Sequence, residues 1–357
     1  MTPWRRFIGW ASVLVGVAAL GLAGCEGDPL DGIPITDPSI APPSPAGGYI
    51  AFVAAGRRDP LWPVLEASAR NYHRTFGTIE TRFLTPQGDS PRDQIALLES
   101  LTDVEMRGLC VHITDVAALE PTLYRLHERG VRIVSMGQPA PLEWRVGHAG
   151  FDEREVGQAL ATATAEAIEE RGQILVLHAG TEHPVHGQRL WAFREQIERY
   201  PDINVLAWLD CEGSGRRARE IIRERFARFP RIAAFVALDD WPFRDVGVAE
   251  EALPAGARCV TFGGYPRHWP LVRTEISPRI VAANYREIGA RALQFCEIAV
   301  RDVGRMENFY HAPLRVIKPT NLDAYIADWT SWTRPDHDGS LMPETDTVPP
   351  PLVSLAD

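Results

Sequence analysis

The sequence has few cysteines, and none of them stands in the spacing of a metal or redox motif. Its five cysteines are Cys25, Cys110, Cys211, Cys259 and Cys296, and no two are separated by two residues. The zinc and thiol-redox motifs that need this spacing are therefore excluded. Because Cys110 and Cys259 stand within apolar, strand-like runs, we predict that the four later cysteines are buried free thiols. Disulfide formation in an exported protein is the alternative.

Signatures of catalysis and of nucleic-acid binding are also missing. The sequence contains no GxSxG nucleophile motif, no HExxH motif and no Walker A loop. Its formal net charge is −10, and so acidic a chain is a poor partner for nucleic acid or for anionic lipid headgroups. We therefore predict a protein that is not an enzyme, has no cofactor and binds no nucleic acid.

The first residues carry the features of a bacterial lipoprotein signal. Arg5 and Arg6 precede an uncharged apolar segment over residues 7–20, which is too short to span a bilayer comfortably. The segment leads into Leu-Ala-Gly-Cys at residues 22–25, which resembles the bacterial lipobox. The resemblance implies a signal peptide over residues 1–24 and a lipid anchor at Cys25, on the periplasmic side of the cell envelope. An ordinary signal peptide with an incidental cysteine and an uncleaved membrane anchor are the alternatives.

Proline-rich segments flank the rest of the chain. Residues 25–47 are rich in proline and have no periodic apolar face, which predicts an extended, semi-stiff tether. Residues 334–357 are again proline-rich and polar, and we predict a disordered tail there. The length left between these segments is too great for one small domain and suits two lobes.

Between the two segments, short apolar runs alternate with helical patterns. Residues 49–55 form an apolar run, and from Leu61 onward apolar residues recur at helical spacing. Further strand-like runs cover residues 79–84, 108–113, 131–136, 173–178, 204–209, 233–238 and 258–262. Further helices are predicted over residues 92–102, 116–129, 154–171, 188–200, 215–229 and 244–251. Regular alternation of this kind predicts an α/β fold with parallel sheets covered on both faces.

The alternation is interrupted at three places, near residues 146–150, 280–283 and 311–316. We interpret these places as crossings between lobes. The predicted fold class is α/β, with two doubly wound parallel-sheet lobes joined by three crossover strands. The predicted N-terminal lobe comprises residues 48–147 plus 284–310, and the predicted C-terminal lobe comprises residues 148–283 plus 311–333.

Six short segments stand in the order and at the distances of a known family. They are Asp59-Pro60-Leu61-Trp62, His112-Ile113-Thr114-Asp115, Phe151-Asp152-Glu153 with Gly157, Arg189-Leu190-Trp191-Ala192-Phe193, Leu238-Asp239-Asp240 and Phe262-Gly263-Gly264-Tyr265-Pro266. Together they resemble the type I periplasmic sugar-binding proteins of the ribose- and galactose-binding kind, whose fold lactose-repressor-like regulators share. The resemblance covers residues 48–329 and implies that two lobes close on a small polar, sugar-like ligand.

The resemblance also implies which residues contact that ligand, since ligands bind beyond the carboxyl ends of parallel strands. Trp62 would stack on the ligand from the first lobe, and Arg189 and Asp239 would hold its polar groups from the second. The predicted ligand-binding residues are Asp59, Trp62, His112, Gln138, Arg189, Asp239 and Trp241. We expect the loss of Arg189 to weaken binding with little effect on the melting temperature of the empty protein.

Two glycines depart from the family pattern. Sugar binders of this kind usually hold hydroxyl groups with an aspartate at each of the positions that correspond to Gly137 and Gly263. A carboxylate accepts two hydroxyl hydrogen bonds at once, and glycine supplies none. We therefore expect the cleft to favour a larger or differently substituted molecule, in the space that the glycines leave, over simple pentoses and hexoses.

One loop contains residues that could bind a metal ion. His178, Glu182, His183 and His186 are suitable ligands for a transition metal. However, the loop is irregular, and Pro184 restricts the backbone of His183, so the side chains do not readily converge. We predict no metal site, with this group as the alternative.

Three functions are compatible with these features. The first is a lipid-anchored solute-binding protein that delivers its ligand to an ABC-type membrane permease. The second is a lipoprotein that presents the bound molecule to a sensor kinase or receptor. The third is an enzyme built on the same fold. The sequence lacks a DNA-binding headpiece, which argues against a repressor.

Overall fold

The computed structural model describes residues 47–101, 105–180, 186–244, 246–301 and 308–333. The predicted signal peptide, Cys25, the predicted tail and all but the last residue of the predicted tether lie outside the described residues. Within the described ranges, none of the helices has both the length and the apolar character needed to cross a membrane.

The first sheet has six strands among the described residues. They are β1 (Tyr49–Val53), β2 (Glu80–Leu84), β3 (Met106–His112), β4 (Arg132–Gly137), β5 (Arg145–Gly150) and β11 (Asn308–His311). The order is β11-β5-β4-β3-β1-β2, and every neighbouring pair is parallel. The helices around this sheet are α1 (Trp62–Phe76), α2 (Pro91–Ser100), α3 (Val116–Glu128) and α8 (Arg286–Val300). Because the chain winds in both directions from β1, this lobe is doubly wound.

Both faces of the first sheet are covered, as the alternation of β1 shows. Ile50 and Phe52 belong to the apolar cluster that contains Leu65 of α1. Val53 points to the other face and belongs to the cluster that contains Leu98 of α2. A strand that is buried on both faces has apolar residues at successive positions, and this explains the continuous apolar sequence of residues 49–55.

The second sheet also has six strands among the described residues. They are β6 (Gly172–His178), β7 (Ile203–Asp210), β8 (Ala234–Ala237), β9 (Cys259–Gly263), β10 (Ile280–Ala283) and β12 (Leu314–Ile317). The order is β12-β10-β9-β8-β6-β7, and only the pair of β10 and β12 is antiparallel. The helices are α4 (Glu153–Ala167), α5 (His186–Ile197), α6 (Gly215–Arg228) and α7 (Trp269–Arg273). A last helix, α9 (Leu322–Thr333), contacts α1 and α7.

Three connections join the two sheets, from β5 to α4, from β10 to α8 and from β11 to β12. They lie side by side. The backbone N–H of Ala312 donates to the carbonyl of Gly150 at 2.8 Å, and that of Asn284 donates to the carbonyl of Pro313 at 2.8 Å. The predicted fold class, two doubly wound parallel-sheet lobes joined by three crossover strands, is confirmed. The predicted lobe boundaries stay a prediction.

The helix predicted over residues 244–251 is wrong. The chain instead forms two short 3₁₀ turns, at Trp241–Phe243 and Ala249–Ala252. Gly247 stands between the two turns, and glycine in a helix interior costs about 1 kcal/mol relative to alanine. The short helix α7, by contrast, was not predicted.

The four cysteines among the described residues are buried and free. Cys110 donates its thiol hydrogen to the carbonyl of Ala292 at 3.3 Å, within the apolar cluster of the first lobe. The prediction that these residues are buried free thiols is therefore confirmed.

Candidate functional site

A cavity of about 560 Å³ lies beyond the carboxyl ends of strands from both sheets. Its walls come from the segments after β1, β3 and β4 on one side and after β8 and β9 on the other. A larger cavity of about 1070 Å³ adjoins it, and the two are together named the cleft. Both cavities are lined by Thr114, Asp115, Gln138, Phe151, Glu153, His186 and Arg244. A concave site of this size suits a small molecule.

On the first-lobe wall, Asp59 and His112 form a close pair. The Nδ1 atom of His112 lies 2.5 Å from Oδ2 of Asp59. The same carboxylate accepts backbone hydrogen bonds from Ala55 at 3.2 Å and from Leu61 at 2.9 Å. Burial alone would raise the pKa of Asp59, but His112 and these hydrogen bonds outweigh burial and hold the pKa below its usual range. Asp59 therefore fixes the orientation of the imidazole ring that lines the cavity.

Gln94 of α2 holds the ends of β1 and β3 together. Its Nε2 donates to the carbonyls of Ala54 at 2.8 Å and His112 at 2.7 Å. Its Oε1 accepts from the backbone N–H of Thr114 at 3.1 Å and from the hydroxyl group at 2.8 Å. The fully buried amide thus uses both donors and both acceptor positions. The sequence analysis missed this residue, although a polar residue one turn before Leu98 on a buried helix face was a signal.

On the second-lobe wall, Arg189 of α5 is only 2% exposed. Its Nε and Nη2 atoms lie 2.7 and 2.6 Å from Oε2 of Glu153, the first residue of α4. Its Nη1 donates to the carbonyl of Leu238 at 2.6 Å. Gly157 permits the close approach of the two helices, because a Cβ there would lie 2.2 Å from the carbonyl oxygen of Arg189. Arg189 therefore ties α4, α5 and the end of β8 together at the cavity wall.

These contacts indicate a structural role for Arg189 that the sequence analysis did not anticipate. Burial raises the pKa of Glu153, with Arg189 opposing that shift. Breaking such a buried pair by removing one partner leaves an uncompensated polar or charged group. We therefore expect the loss of Arg189 to lower the stability of the empty protein, contrary to the expectation from the sequence.

Asp239 and Asp240, which follow β8, anchor a larger charged network. Asp239 accepts a hydrogen bond from Arg244 at 2.9 Å and lies 3.8 Å from His186. Asp240 accepts hydrogen bonds from both Arg244 and Arg267. Burial would raise the pKa of each carboxyl, but Arg244 and the neighbouring cations reverse the shift and keep both pKa values below the usual range. Both aspartates therefore stay ionised under ordinary conditions.

Histidine side chains fill the places above the two glycines that depart from the family pattern. At Gly137, where φ is +70°, a Cβ would lie 2.8 Å from Cδ2 and Nε2 of His112. At Gly263, where φ is +143°, a Cβ would lie 2.6 Å from Cε1 of His268. The expectation that the glycines leave free space for a larger ligand is therefore wrong. The two positions still supply no carboxylate to the cleft.

The predicted tryptophans lie in different surroundings. Trp241 is 1% exposed, contacts His186 with ring centroids 5.2 Å apart, and lines the larger cavity. Trp62 is not among the described residues that line either cavity. Its ring instead packs against Phe52, with centroids 5.7 Å apart. The aromatic residues that do line the smaller cavity include Tyr265.

The cleft thus contains six of the seven predicted ligand-binding residues. Asp59, His112, Arg189 and Asp239 line the smaller cavity, Trp241 lines the larger one, and Gln138 lines both. The sequence analysis missed Arg244 and Arg267, which line the smaller cavity. Arg244 stands four residues after Asp240, a spacing that could have indicated the pair.

The predicted alternative of a metal site falls partly outside the described residues. His178 and His186 are described, whereas Glu182 and His183 are not. Within the described part of the chain, no group of three or more His, Cys, Asp or Glu side chains is placed to hold a metal ion.

Comparison with known proteins gives a family match and a set of similar structures. Residues 50–300 match the family described as periplasmic binding protein domain. A sugar-binding protein of a sugar ABC transporter from Bacillus halodurans is 18% identical, with a TM-score of 0.67, over 78% of this chain and 99% of that one. An arabinose-binding protein from Geobacillus stearothermophilus is 16% identical, with the same TM-score of 0.67, over 78% and 99% of the two chains.

A third similar structure is an ABC transporter solute-binding protein from Burkholderia graminis in complex with D-arabinose. It is 13% identical, with a TM-score of 0.64, over 78% of this chain and 97% of that one. At these identities the similarity shows the fold alone. Among curated proteins, no relative was found.

Proposed function

Since the chain belongs to the periplasmic binding protein family, we propose that it is an extracytoplasmic solute-binding protein rather than an enzyme. It closes two lobes on a small polar, carbohydrate-like ligand and delivers that ligand to an ABC-type permease. Hinge bending at the three connections between the lobes would carry out the closure.

The observation that carries this proposal is the cleft itself. Polar side chains from the strand ends of both lobes line one cavity, among them His112 of the first lobe and Arg244 of the second. Groups that face each other across two lobes can surround a ligand on closure. Such a site binds by enclosure and hydrogen bonding and needs no reacting group.

Sugars and related polyols are the ligand class that the similar structures favour. Besides the D-arabinose complex described above, two further solute-binding proteins with similar structures hold D-allose and D-fucose. The present cleft combines hydrogen-bonding groups with the aromatic side chains of Phe151 and Tyr265. Aromatic faces pack on the apolar surface of a sugar ring while polar groups hold its substituents.

We propose that His112 and Gln138 contact the ligand from the first lobe, and that Arg189 and Asp239 hold its site in the second. Asp59 acts through His112, which it orients. Trp241 supports the wall of the larger cavity. Stacking of Trp62 on the ligand stays a prediction.

The membrane anchor and the delivery partner belong to the same proposal. Cys25 would hold the protein at the membrane surface, with the proline-rich residues 25–47 as the tether. The wild-type chain should then partition with membranes and the Cys25→Ser variant should not. Equal recovery of both in the soluble envelope fraction would contradict the anchor. Presentation of the ligand to a sensor kinase is the second candidate, and the neighbouring genes distinguish a permease from a sensor.

A thermal-shift screen of sugars, polyols and nucleosides tests the ligand class. A ligand that binds only the native state adds about 2.7 kcal/mol to stability at a hundredfold excess over its dissociation constant. For a protein of this size that corresponds to a rise of several degrees in melting temperature. A panel in which no compound shifts the melting temperature would contradict the proposed ligand class.

A further inference from the structure

The charged network on the second-lobe wall has its carboxylates inside and its guanidinium groups outside. The side chains of Asp239 and Asp240 are 13% and 0% exposed, whereas those of Arg244 and Arg267 are 39% and 36% exposed. Both arginines line the smaller cavity. The surface that this network offers to a ligand therefore consists mainly of N–H donors.

The numbers of charges on this wall are balanced, so their positions decide the sign of the field. Arg189, Arg244 and Arg267 stand against Glu153, Asp239 and Asp240. Since Coulomb energy falls with distance, the cations nearest to the cleft dominate its potential.

The arginines keep donors that the network does not use. A guanidinium group has five N–H bonds. Among the described residues, Arg267 donates only to Asp240, through Nη2, which leaves its Nη1 for a ligand. Its Nε is buried and does not face the cavity. Arg244 bonds the two aspartates through Nε and Nη2. The planar fork of a guanidinium group matches the oxygen pair of a carboxylate or phosphate.

Two buried carboxylates of the smaller cavity, by contrast, have few acceptor positions left for a ligand. Asp59 accepts from Ala55 and Leu61 and pairs with His112. Glu153 is paired with Arg189 and is buried. Around Arg244 and Arg267, the hydroxyl donors of a neutral sugar therefore meet few free acceptors, while an anionic group would meet unused donors.

The first-lobe rim does not cancel this asymmetry. Asp89 accepts from both the backbone N–H and the Nε of Arg58, each at 2.6 Å. Asp115 caps α3 by accepting from the N–H of Ala118 at 3.0 Å. Asp89 is thus neutralised by an arginine of its own lobe, whereas Asp115 keeps acceptor positions for the hydroxyl groups of a ligand.

We propose, on the basis of the function proposed above, that the ligand is a sugar that carries an anionic group. The carboxylate or phosphate binds to Arg244 and Arg267, while the remainder of the cleft holds the hydroxyl groups of the sugar.

Matched ligand sets test this proposal by calorimetry on the purified chain. Each set contains a neutral sugar, its uronic acid and its phosphate ester, for example D-glucose, D-glucuronate and D-glucose 6-phosphate. We expect the uronic acid or the phosphate ester to bind at least tenfold more tightly than the neutral parent sugar. Whichever of these two acidic sugars binds more tightly identifies the anionic group. Tighter or equal binding of the neutral sugars would overturn the anionic class and leave the proposed function standing. Absence of binding by every neutral and acidic sugar would overturn both.

The Arg267→Gln variant separates a ligand contact from a structural effect. It should lower the ratio of acidic to neutral affinity at least tenfold, whereas general damage to the site would weaken both affinities alike. Arg273→Gln is the matched control, since Arg273 pairs with Asp323 at 2.7 Å and its side chain is 59% exposed. An unchanged ratio of acidic to neutral affinity in Arg267→Gln would overturn the assignment.

Discussion

The imidazole of His268 fills the place that a side chain at Gly263 would need. A Cβ at Gly263 would lie 2.6 Å from Cε1 of His268, which is itself fully buried. His268 also accepts a hydrogen bond at Nδ1 from the N–H of Gly264 at 3.1 Å and approaches Asp240 to 3.5 Å. The glycine and the histidine therefore form one packed unit behind the charged network.

This unit predicts that Gly263→Ala destabilises the protein. The new Cβ would collide with the ring of His268. In addition, the backbone at Gly263 has a φ of +143°, which residues with a side chain rarely adopt. We expect a loss of roughly 1–3 kcal/mol in the free energy of unfolding, measured by denaturant titration.

Two other glycines serve as controls for that loss. Gly130→Ala tests the backbone alone, since φ is +84° and a Cβ there would meet nothing within 4 Å. Gly247→Ala has neither the positive φ nor a close neighbour. If Gly263→Ala were as stable as Gly247→Ala, His268 would not be packed against Gly263 as described.

Arg189→Met should lower the stability of the empty protein. The substitution leaves Glu153 buried without its partner, and such losses cost about 3–5 kcal/mol. The double variant Arg189→Met/Glu153→Gln should recover part of the loss, because the buried carboxylate is removed. Arg154→Met is the control, since Arg154 and Glu195 are 3.4 Å apart and both about half exposed. Equal effects of Arg189→Met and Arg154→Met on denaturant unfolding would count against the buried pair.

Stability should fall as the pH is lowered from 6.5 towards 3, partly because of His148. This residue is 3% exposed, and its Nδ1 lies 3.0 Å from the hydroxyl oxygen of Ser135. Burial, with contributions from Arg145 and His311, lowers the pKa of His148 from 6.5 to about 3. Between these values the unfolded chain binds a proton that the folded chain does not. Each such proton costs about 1.4 kcal/mol of stability per pH unit.

The His148→Asn variant isolates this contribution. Its free energy of unfolding, measured in denaturant between pH 6 and pH 4, should fall less steeply than that of the wild type by about 1.4 kcal/mol per pH unit. The variant should be less stable at pH 7 because of its smaller side chain, but the slope is the quantity of interest. Identical slopes would mean that His148 is not a buried neutral ring.

A fragment of residues 48–147 should not fold by itself. β5 continues to Gly150, and β11 adds the last strand of the sheet from far along the chain. The fragment also lacks α8, which packs against α1 and covers β3, β4 and β5. Circular dichroism should therefore show no cooperative melting for the fragment, in contrast to the full chain. A cooperative transition would contradict the proposed division of the chain into lobes.

Much of the fold could be predicted from the sequence because its signals are local. Apolar runs such as residues 49–55 and the helical spacing after Leu61 depend on neighbouring residues only. The helix predicted over residues 244–251 was wrong for a local reason too. The apolar spacing of so short a segment does not distinguish a helix from 3₁₀ turns.

The site was predictable only in outline. The rule that ligands bind at strand ends located Asp59, His112 and Asp239 correctly at the cleft. It could not show that the ring of Trp62 packs on Phe52, because that depends on how the helix turns away from the strand. The pairing of Arg267 with Asp240 joins residues far apart in sequence and has no local signal.

A calorimetric titration of the Gln138→Trp variant tests most directly whether a ligand binds between the two lobes. Gln138 is half-buried and lines both cavities, so a large side chain there would occupy the cleft without disturbing a core. Leu142→Trp is the matched control, since Leu142 is 59% exposed. With the ligand that gives the largest thermal shift, we expect binding to be lost in Gln138→Trp and kept in Leu142→Trp. Wild-type affinity in both variants would contradict a ligand held in the cleft.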